Sequence, residues 1–440
     1  MYITNRALKI LLLKKNKKTM NELILLSKLC LFMYSLVALF YSAKKIVVNK
    51  INAAILIYPV FFIFYPLHLF FDITMGIPDY PSKFYSLDKA THDFTTVMLY
   101  LAIQFVYISI FIYFQRKETY SIEIDRLRNG KILKAILLSL AIILTLSFLF
   151  SPDPTIYIIY GAIRNTTDPA IIEGHIRVAL LTQIAAILIL ICRILDGKTC
   201  STTMRSIYIL FLILAIYLNN KRLIFAIIPL FFFVELLIKN NRKTVMKFFI
   251  ALFLFSLFYY IYSELFKHVD KKMTSDIVYF YLRHELGRDD IMLFSIHQRI
   301  INNLPIMEYS GQSFIASILN YFPREFYSDK PYPYGQYLTN NLITGNVGAG
   351  LLGWTVTTSI LDEFISNFSI LGIGLSFIFL IIAFNYIDKT QSNNRKLFFV
   401  FLFYLLLIVH TSLYALLVYY AFWLILFRPV LVYISNGIKK

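Results

Sequence analysis

The chain has 440 residues, 58% of them hydrophobic and only 15% charged, with a mean hydropathy of +0.67. Soluble domains are about 45–50% apolar and about 25% charged, so an ordinary soluble fold is excluded. The formal net charge of +18 does not read as a nucleic-acid footprint. Most cations lie in short loops between apolar runs, and the long polar segment 267–349 is neutral, with eight Lys/Arg against eight Asp/Glu.

In chain order, residues 1–20 carry six Lys/Arg. Apolar runs then predict membrane-spanning helices at 23–43, 51–73, 94–114, 132–150, 178–195, 206–219, 222–238, 248–266, 369–387, 397–412 and 414–434. The alternation of a membrane β-barrel is absent. The expected fold is therefore all-α: a polytopic membrane protein of about 11 spans, one integral-membrane domain with one large external loop at 267–349. Two breaks rest on length. Residues 206–238 as one helix would run about 50 Å against a hydrocarbon core of about 30 Å, so Asn219-Asn220-Lys221-Arg222 reads as a tight turn. The same reasoning puts a turn at His410-Thr411-Ser412.

Loop cations set the expected sidedness. Arg116, Lys117, Arg126, Arg128 and Lys131 mark a cytoplasmic loop, as do Lys239, Arg242, Lys243 and Lys247, and Lys389, Arg395 and Lys396. Alternation then places 151–177 and 267–349 outside. Eleven spans would also put the basic N-terminal tail outside, against the same rule. A start at Met20, followed by Asn-Glu-Leu-Ile-Leu-Leu, would remove the conflict. Cys30, Cys192 and Cys200 form no disulfide framework, and the histidines show no metal-binding spacing.

The external segment carries the chemistry. Residues 274–304 and 313–322 have amphipathic spacing suited to lying on the membrane surface or capping a cavity, and His297 falls in the first stretch. Gly287-Arg288-Asp289-Asp290 sets two carboxylates beside a guanidinium. Adjacent helical residues point about 100° apart, which favours fixing Arg288 over holding a metal; the alternative is a merely solvated charged turn. In PREFYSDKP (323–331), prolines stiffen the backbone beside Arg324 and Lys330. An arginine fork and a lysine point charge on one patch suit a diphosphate; the alternative is surface pairing with Glu325 and Asp329. Arg164 and Arg222 are further cations expected at the outer face. Glu363 and Asn367 share one helix face if 360–368 is helical.

The order GRDD, EYSGQSF (308–314), PREFYSDKP and TSILDEFISNF (358–368) resembles the oligosaccharide repeat-unit polymerase family, of the O-antigen polymerase type. The resemblance covers about the last 170 residues, and earlier parts agree only in span layout. It implies a metal-independent membrane glycosyltransferase without cofactor, in the cytoplasmic (inner) membrane of a bacterium. Its substrate would be an undecaprenyl-diphosphate-linked oligosaccharide, with membrane lipid and a chain-length regulator protein as partners. By the resemblance, Arg324 and Lys330, then Arg288, would hold diphosphate, with Arg222 and Arg164 added by location. An acceptor hydroxyl needs a base, for which Glu363 and His297 are the candidates. The sequence departs from the family pattern in having Asp362-Glu363 for Gly-Glu, and Ser369 for the glycine after Asn367-Phe368. Rival readings are a lipid-linked-oligosaccharide flippase or other transporter, a glycan ligase, and a membrane scaffold.

Overall fold

The computed structural model describes residues 2–78, 80–120, 130–159, 168–196, 200–219, 227–239, 287–319, 326–350, 355–391 and 393–408. It adds isolated positions between 246 and 257, and Tyr279, Arg283, Phe322 and Arg324. Among the described residues there are helices and no strand; Ile51 and Tyr120 form an isolated antiparallel bridge. The main helices are α1 (Tyr2–Val47), α2 (Ala53–Phe64), α3 (Pro66–Met75), α4 (Tyr85–His92), α5 (Phe94–Gln115), α6 (Gly130–Thr145), α7 (Pro169–Asp196), α8 (Thr202–Asn219), α9 (Ile227–Lys239), α10 (Asp289–Ile296), α11 (Gln312–Ile318), α12 (Tyr334–Thr344), α13 (Ile360–Phe368), α14 (Ile370–Lys389) and α15 (Asn393–Ile408).

Six helical stretches among the described residues are long and apolar enough to cross a bilayer: Thr19–Val47, Ala53–Met75, Phe94–Gln115, Ala170–Arg193, Thr202–Asn219 and Ile370–Lys389. By length and composition the described residues are those of a helical, multi-pass membrane protein, with six crossing stretches among them where about 11 were expected along the whole chain. α9 and α15 fall on two further expected spans, 222–238 and 397–412, and both are flanked by residues outside the described ones. The predicted spans at 248–266 and 414–434 lie largely or wholly outside the described residues, as does the turn predicted at His410.

The chain divides into two compact units. One takes Met1–Tyr120, Met273–Thr390 and Phe399–Arg428, and the other takes Ser121–Lys272, Gln391–Phe398 and Pro429–Lys440. In the first, α1, α2, α3 and α5 pack together and α14 lies against α2 and α5. Pro66 supplies no N–H to the preceding turn, so the second span breaks into α2 and α3 at Tyr65. Asn52 caps α2 by accepting from the Ile55 amide and donates to the Phe114 carbonyl at 2.8 Å. The Asp388 carboxylate accepts from the Ala53 amide (2.8 Å) and the Tyr120 hydroxyl (2.9 Å). These bonds gather the start of α2 and the ends of α5 and α14.

In the second unit, α7 packs on α6, α8 and α9. Lys134 pairs with Asp196 at 2.7 Å, and Tyr208 donates to the same carboxylate at 2.6 Å. Buried Arg193 pairs with Glu235, which Arg205 also approaches at 3.2 Å. Asn219 ends α8 and donates to Thr182 of α7 at 3.1 Å.

Candidate functional site

At the other end of the first unit, α13 leads into α14 through Ser369. Ser359 starts α13 with a reciprocal cap: its hydroxyl serves the helix N-terminus, and Asp362 accepts from the Ser359 amide at 2.7 Å. Tyr65 of the α2–α3 break reaches the Ser359 hydroxyl at 2.6 Å. Asp362, Glu363, Ser366 and Asn367 are all buried, so this short helix is polar on its packed faces. Burial raises the Asp362 carboxyl to about 6, against the hydrogen bonds from Ser359 that favour its charged form.

The expected sharing of a face by Glu363 and Asn367 holds. Ser313 of α11 donates to Glu363 Oε1 at 2.6 Å, and Asn367 Nδ2 donates to the Ser313 hydroxyl and to the Glu363 carbonyl, both at 2.8 Å. The Gly311 amide donates to Asn367 Oδ1 at 2.9 Å. Phe314 packs on Phe364 and stacks on Phe368, fixing α11 to α13. Glu363 itself has no exposed surface.

A series of contacts runs from this cluster to the expected cation pair. Gln312 donates to Glu308 (2.8 Å) and Tyr337 (3.1 Å), and the Tyr337 hydroxyl accepts from the Tyr332 amide at 3.1 Å. Arg324 lies over the Tyr332 ring, 3.9 Å from its centroid. Its guanidinium donates to the carbonyls of Lys330 (2.6 Å) and Pro331 (3.3 Å), and Lys330 Nζ donates to the Phe322 carbonyl at 2.9 Å. Arg324 and Lys330 therefore share one loop, as expected, with Arg324 also serving as its clasp. Burial and the adjacent Arg324 charge lower the proton affinity of Lys330.

Arg288 is placed differently from the expectation. It is 1% exposed, stacks on Phe64, and donates to the carbonyls of Ile408 (3.0 and 2.7 Å) and Gly287 (2.6 Å). The neighbouring carboxylate goes to another arginine: Arg283 pairs with Asp289 and with Asp72, which also accepts from Lys28 at 2.6 Å and from Tyr279. This buried network, with Asp290 and His68 beside it, was not anticipated. Its signal was present, since Lys28 and Asp72 are charges inside apolar runs. Burial and the Asp289 charge raise the Asp290 carboxyl to about 7.

His297 opens a π-helical turn, His297–Ile301, that continues α10, closed by the Asn302 amide on the His297 carbonyl at 2.9 Å. Its Nδ1 meets Thr96 Oγ1 at 2.9 Å and lies 3.9 Å from Asp93 Oδ2. Ser295, two residues before, accepts from Ser366 of α13 at 3.0 Å, and the Arg299 carbonyl accepts from Ser369 at 3.0 Å. Both base candidates thus belong to elements packed on one another. Arg164 and Arg222 lie outside the described residues. Asp93, Thr96 and Ser313 were missed, although Asp93-Phe94-Thr95-Thr96 carries a helix-start pattern. Comparison with known proteins adds no relative: no family model, no curated protein and no solved structure matches the chain.

Proposed function

We propose that this protein is a membrane glycosyltransferase that polymerises undecaprenyl-diphosphate-linked oligosaccharide repeat units into surface polysaccharide, of O-antigen or capsule type, at the outer face of the bacterial cytoplasmic membrane. The observation that carries the reading is the linked pair of clusters. Arg324 and Lys330 are held together on one loop despite their like charge, and that loop joins through Tyr332, Tyr337 and Gln312 to the carboxylate-bearing α13. An anion between the two cations relieves their repulsion, and a diphosphate is the anion that a lipid-linked sugar carries. Cleavage of the sugar–diphosphate bond builds negative charge on the leaving phosphate, which fixed cations stabilise. The attacking sugar hydroxyl gives its proton to a base, Glu363 or His297. A chain-length regulator and membrane lipid are the expected partners.

A transporter reading draws on one separate feature. Lys28 and Asp72 form an ion pair inside two apolar helices, where transporters keep their charged residues. That pair is closed by Arg283 and Tyr279, which favours a structural tie.

Deletion of the gene in its host, with fractionation of lipid-linked intermediates and finished glycans, separates the readings. Polymerase loss leaves single repeat units on the final acceptor. Long chains stranded on the carrier would indicate a ligase, and units trapped at the cytoplasmic face a flippase. Unchanged polymer would reject all three.

A further inference from the structure

Resting on the polymerase reading, we infer that His297 is the base for the acceptor sugar hydroxyl, and that Asp93 acts through Thr96 to hold its ring with the lone pair on Nε2. The first ground is access. A base must come within about 2.6–3.2 Å of the hydroxyl it deprotonates. Glu363 is sealed beneath Ser313 and Asn367, whereas the His297 side chain retains 16% exposure.

The second ground is proton counting. Asp93 caps α5: its Oδ2 accepts from the Thr96 amide at 2.8 Å and from Thr96 Oγ1 at 2.6 Å. An ionised carboxylate has no hydrogen to give, so the single Thr96 hydroxyl proton lies toward Asp93. Thr96 Oγ1 can then only accept along its other short contact, to His297 Nδ1 at 2.9 Å. The neutral ring therefore carries its hydrogen on Nδ1 and its lone pair on Nε2. When Nε2 takes the hydroxyl proton, the ring becomes a cation, 3.9 Å from Asp93 Oδ2. The hydroxyl oxygen keeps its electron pair and forms the new bond to the sugar carbon, and the carbon–oxygen bond to the diphosphate breaks with its electrons staying on the phosphate. The proton is returned from Nε2 to solvent or to the leaving group.

Partial burial lowers the proton affinity of the ring; among the described charges Asp93 favours the imidazolium and exposed Lys89 of α4 opposes it. The π-helical turn at His297 is the kind of local widening that often occurs at functional sites. His297 is thus the catalytic residue, and Asp93 and Thr96 are positioning residues.

The test uses the full chain in lipid bilayers with ¹⁵N-labelled histidine, the His297 signals being assigned by difference from His297→Gln. Solid-state NMR above the histidine pKa is expected to show Nδ1–H with Nε2 unprotonated. Thr96→Val is expected to release this preference toward Nε2–H, and Thr96→Ser to restore it. A wild-type ring protonated at Nε2 would overturn the relay whatever the protein's activity. In cells at matched protein level, His297→Gln is expected to lower polymer formation about 100- to 10,000-fold. Asp93→Asn should move the rising limb of the pH–rate profile to lower pH, because the carboxylate that favours the imidazolium is gone, and Thr96→Ser should keep the wild-type limb. If gene deletion abolishes polymer but His297→Gln leaves its chain-length ladder normal, the base assignment fails and the polymerase reading stands. If deletion leaves polymer unchanged, the polymerase reading fails while the NMR result still decides the relay.

Discussion

Glu363 and Asn367 close around Ser313, so each of the three side chains supplies a partner to another. Glutamine at 363 keeps an oxygen in the place where Ser313 donates. We therefore expect Glu363→Gln to leave both the protein level and the polymer ladder close to wild type, whereas Glu363→Ala takes away the acceptor of the buried Ser313 hydroxyl proton. That loss is worth about 1–3 kcal/mol and should appear as a lowered thermal unfolding midpoint of the purified protein. Loss of polymer in Glu363→Gln at normal abundance would instead make this carboxylate a direct participant. Arg324 tests the cation loop in the same way. Lysine cannot span the two carbonyls, lie over Tyr332 and present a planar fork at once, so Arg324→Lys should fail nearly as badly as Arg324→Ala. One lost contact at a developing phosphate charge costs about 2.7–4 kcal/mol, or roughly 100- to 1,000-fold in rate. An ordinary surface ion costs about 0–1 kcal/mol, so a normal ladder from either variant would remove Arg324 from the mechanism. The i, i+4 pairing of Glu363 with Asn367 was readable in the sequence; Ser313, 50 residues away, was not, because only the packing of α11 on α13 brings it there.

Between α13 and α14 the chain turns on Ser369, at φ +54° and ψ −129°. This left-handed backbone favours glycine, and a residue with a side chain is strained there by about 1–3 kcal/mol. Ser369 offsets part of that cost by donating to the Arg299 carbonyl, a bond worth about 0.5–1.5 kcal/mol net. The backbone strain outweighs the bond, so Ser369→Gly is expected to stabilise the protein by about 1 kcal/mol, read from thermal unfolding in detergent. Three residues on, the opposite holds. A Cβ on Gly372 would lie 2.0 Å from the Phe364 carbonyl oxygen and 2.8 Å from Ile365 Cα, backbone that cannot swing aside. Gly372→Ala should force α13 away from α14 and cost about 1–3 kcal/mol, read as a lowered thermal unfolding midpoint. No change in Gly372→Ala would mean that the two helices are not packed this closely. Glycine and serine in an apolar run give no such warning by themselves; the close approach arises from the sharp turn that folds α13 back on α14.

Across the molecule, burial of carboxylates should set how stability depends on pH. Asp290 and Asp362 are raised to about 7 and about 6, far above their ordinary value near 3.8. A raised carboxyl holds its proton longer in the folded state than in the unfolded one. Its contribution to stability is complete below about pH 4 and is lost as pH rises through 6 to 7. Asp290→Asn removes that titration, so the unfolding midpoint of the variant should fall less steeply between pH 4 and pH 7 than that of the wild type. Equal slopes would show that Asp290 ionises normally in the folded protein.

The amino-acid sequence by itself determined that this protein is a set of apolar helices in a membrane, because runs of about 20 apolar residues have no other stable environment. The helix starts at Asn52, Asp93 and Ser359, where a short polar side chain meets the free amides of the first turn, were not read from it. Of about 11 apolar runs read as crossings, six stand among the described residues as helical stretches long and apolar enough to span a bilayer. Which charges meet was decided only by the tertiary structure. Arg288 is next to Asp289 in the chain, yet Arg283 takes that carboxylate, and Lys28 finds Asp72 from a different helix. Inside a low-dielectric core an unpaired charge costs more than any local preference can supply. The packing of helices therefore selects the partners, and no spacing along the sequence records that choice.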